Sequence, residues 1–355
     1  MARRQQYIFV EESHRGRGFL IALLVVLVIL LTGLFTWNFA LNHTVLFDRQ
    51  YVTINNLSTD LENWTILHLS DLNGKYVGDQ QSAIKKAIGT RSVSSIVLSG
   101  NMVGEDGNVK PLLDLLAILP AETPILLIPG DSDPPLYDPA PHGTVSAYAD
   151  WATALIDAGV TILDEPVSFT RGKSTIWFVP ESLYSLDIDS TIAAYQNQLD
   201  GLNALVGTLS ADQAAQKRNA EFQIARMQRI RETIAAIKTK DIQIAVSHMP
   251  LTKAYVASAK AVTPAKNAFS MHHVSLILAG GYCGGQWRLP SGGAIYVPEL
   301  GFFPEDHLVS GMSYLDGVWQ YISPGLSAST EYPFMPFRLF NSPGVALHVL
   351  TASLT

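Results

Sequence analysis

The 355-residue chain has one cysteine, Cys283, so no disulfide can close within it. It also lacks a cationic excess, with 24 Lys and Arg against 31 Asp and Glu. Residues 1–18 hold four of the Arg and two of the Glu, which leaves 20 basic against 29 acidic residues beyond them. An acidic body of this kind excludes nucleic acid as a partner and excludes electrostatic docking on anionic lipid. No stretch is low in complexity, and no sequence repeat is visible.

Charge is missing altogether from residues 19–37, a run dominated by Leu, Val and Ile. At 1.5 Å per residue this run is roughly 28 Å long, about one hydrocarbon thickness. A cleaved signal peptide has a shorter apolar core, about 7–15 residues, followed by a small-residue cleavage site. No such site follows here, so the run reads as a retained anchor. Arg3, Arg4, Arg15 and Arg17 precede it, and no Lys or Arg follows until Arg49. The positive-inside rule then puts the N-terminus in the cytoplasm and the rest outside. The expected layout is a single-pass plasma-membrane protein with an extracytoplasmic body: a cytoplasmic tail (1–18), a transmembrane anchor (19–41), a polar linker (42–50) and a main domain (51–355).

Within that domain one stretch organises the rest. Thr65-Ile66-Leu67-His68-Leu69 is an apolar run, the pattern of a strand covered on both faces. Ser70-Asp71-Leu72-Asn73-Gly74 follows it and places a carboxylate and an amide at the strand's C-terminal end, the edge where open α/β sheets bind ligands. Four later stretches repeat the design. They end in Ser99-Gly100-Asn101, in Pro129-Gly130-Asp131-Ser132-Asp133, in Ser247-His248-Met249-Pro250 and in Gly280-Gly281-Tyr282-Cys283. Helices are expected at 79–90, at 109–119 with Pro111 in the first turn, and at 147–158. Residues 294–297, 319–322 and 346–350 read as antiparallel strands. Residues 189–238 carry apolar residues at helical spacing in two runs, with a Ser210-Ala211-Asp212-Gln213 capping box between them. This is a helical-hairpin insertion, either packing on itself or serving as a lid or docking surface.

In this order the five strand ends resemble the calcineurin-like metallophosphoesterase family, whose signature is D-x-H, G-D, G-N-H-D/E, a lone H, and G-H-x-H. Gly284-Gly285-Gln286-Trp287-Arg288-Leu289-Pro290 resembles the segment that follows the last motif in the membrane-anchored bacterial branch. The resemblance implies an α/β fold, a four-layer sandwich of two mixed sheets flanked by helices. It also implies seven side chains holding two metal ions. At those positions Asp71 and His248 are kept. Asn73 replaces a His, Asn101 replaces the bridging Asp, and Asp131 replaces an Asn. Gly281 and Cys283 replace the last two His, and Ser132 stands where the family has its leaving-group acid.

A two-metal hydrolase needs ions about 3.5–4 Å apart that share a carboxylate bridge, and Asn101 carries no charge. Two readings stay open. In the first, the protein is catalytically inactive or strongly impaired, holds no cofactor, and acts by binding: a protein partner at the hairpin, or a phosphate-bearing or lipid ligand in the old cleft. In the second, Asp71, Asn73, Asn101, Asp131, His248 and Cys283 surround one divalent ion (Mn, Mg, Ca or Zn) and hydrolyse a phosphodiester or pyrophosphate. The first reading carries a specific expectation: Asp131 hydrogen-bonds His248, and loop amides, Asn73 or Asn101 hold Asp71. Cys283 is expected as a small buried hydrophobe, His68 as a packed strand residue, and Asp133 as a loop carboxylate bonding local amides.

Overall fold

A computed structural model describes residues 15–138, 148–261, 268–332 and 334–352. The expected tail lies outside the described residues as far as residue 14, Arg3 and Arg4 included.

The apolar run forms α1 (Arg15–Asn42), of which Gly18–Asn42 is long and apolar enough to cross a membrane, with none of that span's apolar window buried against the domain. Then come β1 (Leu46–Ile54), β2 (Thr65–Leu69), α2 (Ser82–Ile88), β3 (Ser95–Ser99), α3 (Lys110–Leu116), β4 (Ile125–Ile128), α4 (Asp150–Asp157) and β5 (Val160–Ile162). The chain continues through β6 (Val167–Arg171), β7 (Ser174–Pro180), α5 (Ile188–Asn203), α6 (Ala211–Ala236), β8 (Ile242–Val246), α7 (Lys253–Ala261) and β9 (Val274–Ala279). Four short strands follow: β10 (Arg288–Leu289), β11 (Gly292–Ala294), β12 (Tyr296–Val297) and β13 (Gly301–Phe302). The last are β14 (Gly311–Leu315), β15 (Val318–Ile322) and β16 (Gly344–Ala352).

Two six-stranded sheets result, in the orders β1-β16-β2-β3-β4-β5 and β14-β15-β9-β8-β7-β6. Both are mixed. In the first, β2, β3, β4 and β5 are parallel, while β16 runs antiparallel to β2 and parallel to β1. In the second, β7, β8, β9 and β15 are parallel and the two edges are antiparallel.

The side-chain period of two sorts each strand into two faces. Ile66, Val97 and Leu126 point inward and meet Phe178, Ile244 and Leu278 of the other sheet. Leu67, Leu69, Ile96 and Leu98 point outward and are covered by Ile84, Leu112, Leu115 and Trp151 of α2, α3 and α4. The second sheet's outer face, with Val179, Ala245 and Ile277, is covered by Met227 and Ile230 of α6 and Val256 of α7. The layers are therefore helix, sheet, sheet, helix. The parallel strands β2, β3, β4, β8 and β9 bring the polar loops that follow them to one edge.

Two expectations change. The 42–50 stretch is not a linker: from Leu46 onward it is β1, paired residue for residue with β16. Only residues 43–45 separate this strand from α1, so the body is attached directly to the helix. Residues 319–322 form β15, which is parallel to β9 as well as antiparallel to β14. The hairpin forms as α5 and α6, and Ser210 and Gln213 make the reciprocal capping box.

Between the sheets lie two imidazoles. His68 and His348 are fully buried, with ring centroids 5.6 Å apart, and the Tyr321 ring meets His348 edge-on at 4.5 Å. His68 Nε2 pairs with Ser99 Oγ at 2.8 Å, whereas neither ring nitrogen of His348 has a hydrogen-bond partner. Burial pushes His348 down to about 3 and lowers His68 as well. As the pH falls below the ordinary value near 6.5, the unfolded chain takes up protons that the folded chain refuses. Stability is thus full above that value and declines as the pH falls toward 3. A His348→Phe variant should keep the ring contact with Tyr321 and show a shallower fall of thermal midpoint between pH 7 and 4. A slope equal to the parent's would contradict this assignment.

Candidate functional site

The loops after β2 and β3 are laced together by backbone hydrogen bonds. Asp71 N–H donates to Gly100 O at 3.0 Å, Asn73 N–H to Asn101 O at 2.7 Å, and Gly74 N–H to Met102 O at 3.1 Å. Asp71, Asn73 and Asn101 all have positive φ, at 56°, 51° and 53°. Asp and Asn tolerate this left-handed region better than other side-chain-bearing residues, so these residue types suit the turns. Asp133 closes the neighbouring loop. Its carboxylate accepts from the amides of Met102, Val103, Gly104 and Gly130, as the sequence reading expected.

Asp71 is completely buried. Its Oδ2 accepts from Ser70 Oγ at 2.5 Å and from the Gly281 amide at 3.2 Å. Asn73 does not hold the carboxylate; its Nδ2 donates to the Asp71 carbonyl and to Ser327 Oγ. Asn101 Oδ1 accepts from the Ser132 amide at 2.8 Å, which turns the amide NH₂ into the cleft. His248 is nearly buried and donates from Nδ1 to Ser99 O at 2.9 Å. Asp71 Oδ1, Asn101 Nδ2 and His248 Nε2 have no hydrogen-bond partner.

Asp131 is a correction. It is exposed, and the expected bond to His248 does not form: His248 Nδ1 donates to Ser99 O, and the Asp131 side chain lies in solvent, away from the buried Nε2. Cys283 is fully buried, and burial, followed by the nearby Asp71, pushes its thiol well above the usual range. At Gly281 the backbone has φ +83°, and a Cβ there would lie 2.4 Å from Met249 Sδ. The thioether therefore fills the space beside the residue where the resemblance implied a His.

Of the six positions expected around an ion, two remain as suitable donors, Asp71 and His248. Zn sites take four ligands, and Mg or Ca sites six or more oxygens. Asn101 presents a donor NH₂, not an oxygen, to the same space. Among the described residues no group of three or more His, Cys, Asp and Glu is arranged to hold a metal ion. The donor set does not fit the two-ion centre implied by the resemblance.

The cleft is also covered from within the chain. The segment 323–343, between β15 and β16, lies across the loop ends. Leu326 and Ser327 N–H groups donate to the Ser70 and Asp71 carbonyls at 3.0 and 2.9 Å. Lys75 Nζ donates to Ala328 O at 2.6 Å, and Ser132 Oγ donates to Glu331 Oε1 at 2.6 Å. Gln286, completely buried, bonds Ser329 through both ends of its amide. Arg338 anchors the segment by donating to four backbone carbonyls, those of Ser327, Asn341, Pro324 and Ser342, at 2.9–3.1 Å.

Beside the covered cleft a cavity of about 330 Å³ opens between the sheets. His248, Asp164, Tyr137, Glu181 and Arg226 line it, with Ile128 and Val246 on its walls. Arg226 belongs to α6, so the hairpin forms part of the rim. Its guanidinium sits 3.4 Å from Asp164 Oδ2, which also accepts from Tyr137 and Tyr148 hydroxyls at 2.6 and 2.9 Å. Arg229, one turn on, pairs with Glu165 at 2.5 Å. The sequence analysis missed Asp164, Arg226 and Arg338. Their partners lie far away in sequence or are backbone carbonyls, and neither leaves a local pattern.

No protein-family model matches the chain, and no curated protein matches it. Among solved structures it is similar to the crystal structure of phosphopantetheinyl hydrolase (PptH) from Mycobacterium tuberculosis, at 14% identity and a TM-score of 0.37, over 78% of this chain and 96% of that one. So loose a likeness carries neither chemistry nor substrate across.

Burial raises the Asp71 carboxyl above its usual range, with His248, Ser70 and the Gly281 amide partly offsetting it. Between the ordinary carboxylate value and the raised one the folded chain holds a proton that the unfolded chain has released, so stability falls as the pH rises through that window. Asp71→Asn keeps the left-handed turn and removes the carboxylate. Its thermal midpoint at pH 7 should rise by about 2 °C or more, the shift that about 1 kcal/mol gives in a large domain. The gain should vanish toward pH 4. A lower midpoint at pH 7 would mean that the carboxylate is holding something together, a cation included.

Proposed function

We propose that this is a membrane-anchored, extracytoplasmic protein with a metallophosphoesterase-like body that acts by binding and not by hydrolysis. The observation that supports it best is the condition of Asp71. In a working hydrolase this carboxylate faces a solvated pair of ions. Here it is buried and hydrogen-bonded by Ser70 and the Gly281 amide, while Ser327 of the covering segment bonds the backbone carbonyl of the same residue.

Binding is assigned to the open cavity next door. Ile128, Leu136, Leu163 and Val246 give it apolar walls, and Tyr137, Asp164, Glu181, Ser182, Arg226, Ser247 and His248 give it polar groups, the mixture that orients a small molecule. Asp164 largely neutralises Arg226, so a doubly charged phosphate has no free cation there, whereas a hydrogen-bonding, weakly charged head group suits Asp164, Glu181 and Ser182. The α5–α6 hairpin, held by Arg226 and Arg229, is the element that a ligand or a protein partner would move. The anchor is α1, and the excess of Arg before it puts the body outside.

The test is a metal and turnover measurement on the full chain in detergent. Metal analysis after purification with Mn, Mg or Zn should give well under one equivalent per chain. A chromogenic phosphodiester should turn over no faster with the protein than with the Asp71→Asn variant. About one bound equivalent, with metal-dependent turnover lost in Asp71→Ala, would replace this reading with a one-metal hydrolase.

A further inference from the structure

The end of α1 is not loosely tethered. Asn38 Oδ1 accepts from the Phe340 amide at 2.7 Å, and Asn42 Nδ2 donates to the Arg338 carbonyl at 2.6 Å. The Trp37 ring lies 5.5 Å from that of Phe340, at 54°. On the other side of the three-residue gap, β1 is zipped to β16. The helix is thus gripped by the same segment that covers the cleft, and the direction in which it leaves the domain is set by these contacts.

Around that exit the surface is aromatic. Phe334 is 96% exposed, Phe302 73%, Phe303 66% and Phe337 50%. Hydrogen bonds connect Phe303 and Phe337 to the exit step by step, Phe302 packs against Phe303, and Phe334 lies three residues before Phe337 in the covering segment. Trp287 bridges Leu339, beside Phe340, and donates from its indole to Phe337 O at 2.8 Å. The Ile295 amide donates to Trp287 O at 2.8 Å, and the Phe303 amide to Ile295 O at 2.9 Å. Neighbouring strands lie about 4.8 Å apart, so Phe303 is within roughly 15 Å of Leu339, the residue before Phe340. Single exposed apolar side chains are ordinary, but four exposed Phe in one region are not.

We propose that this face rests on the bilayer, with Phe302, Phe303, Phe334 and Phe337 in the headgroup–acyl boundary. The inference rests on the anchoring reading above and adds the orientation of the body. A helix crossing the bilayer presses whatever surrounds its exit against the interface, where aromatic rings are favoured. The occupant is lipid because the patch is continuous with the spanning helix. The body is acidic, so the contact is apolar and does not depend on lipid charge.

Reconstitute the full chain in phosphatidylcholine vesicles that carry a lipid with a photoreactive group near the glycerol backbone, and map the labelled peptides. Label should appear on α1 and on the peptides holding Phe302–Phe303 and Phe334–Phe337. It should persist at about 0.5 M salt, where surface electrostatics reach only a few ångström, and when part of the lipid is anionic. A Phe302→Ser, Phe303→Ser double variant should lose most of the label on its own peptide and keep that on α1. Label confined to α1, or a patch that cross-links to a second copy instead of lipid, would overturn the proposal while leaving the anchor intact. Absence of label on α1 as well would remove the anchoring reading beneath it.

Discussion

A buried guanidinium holds this molecule's most telling feature in place. Arg338 is only 5% exposed and makes no ion pair among the described residues; it donates to four carbonyls of the segment that it closes. Burial lowers its pKa, yet arginine stays protonated in proteins. A desolvated charge is costly unless every donor is used, and bonds from a charged donor contribute about 1.5–3 kcal/mol each. The segment is therefore drawn around the side chain. From it hang both the Ser327 hydrogen bond to the Asp71 carbonyl and the carbonyl that receives Asn42 of α1.

With the segment in place, the changes at the cleft form a consistent set. A pair of cations would require several carboxylates and imidazoles at close quarters, and without cations those groups would repel or be left unpaired. Here the bridging position is Asn101, whose oxygen caps the Ser132 amide, and Ser132 in turn reaches Glu331 of the covering segment. Gly281 leaves room for the Met249 thioether and supplies an amide to Asp71. Ser70, the Gly281 amide and the Ser132 amide thus supply hydrogen bonds to Asp71 and Asn101 from inside the protein. The remaining unpartnered atoms, on Asp71, Asn101 and His248, are few and enclosed.

Much of the fold was legible because its signals are local. Thr65–Leu69, Ser95–Ser99 and Ile242–Val246 are apolar runs with clear ends, and the capping box of α6 needs only four adjacent residues. β1 was not legible in its first half. Leu46, Phe47, Asp48 and Arg49 are all exposed or half-buried, without an alternating pattern, on an edge strand whose pairing partner is about 300 residues away. At the site, Asp71, Asn101, His248 and Cys283 come together as their strand ends implied. Asp131 does not, because a shift in the identity of a carboxylate says nothing about which way a loop side chain turns. The covering segment escaped for a related reason: Arg338 speaks only to backbone carbonyls, which every sequence contains.

The central claim is that the strand ends do not form a seat for two cations. Anomalous diffraction from crystals of the protein soaked in manganese tests it directly. The account predicts no anomalous peak between Asp71 and His248, with segment 323–343 still across the cleft. Two peaks side by side there, about 3.5–4 Å apart as in two-metal hydrolases, with the segment displaced, would contradict it.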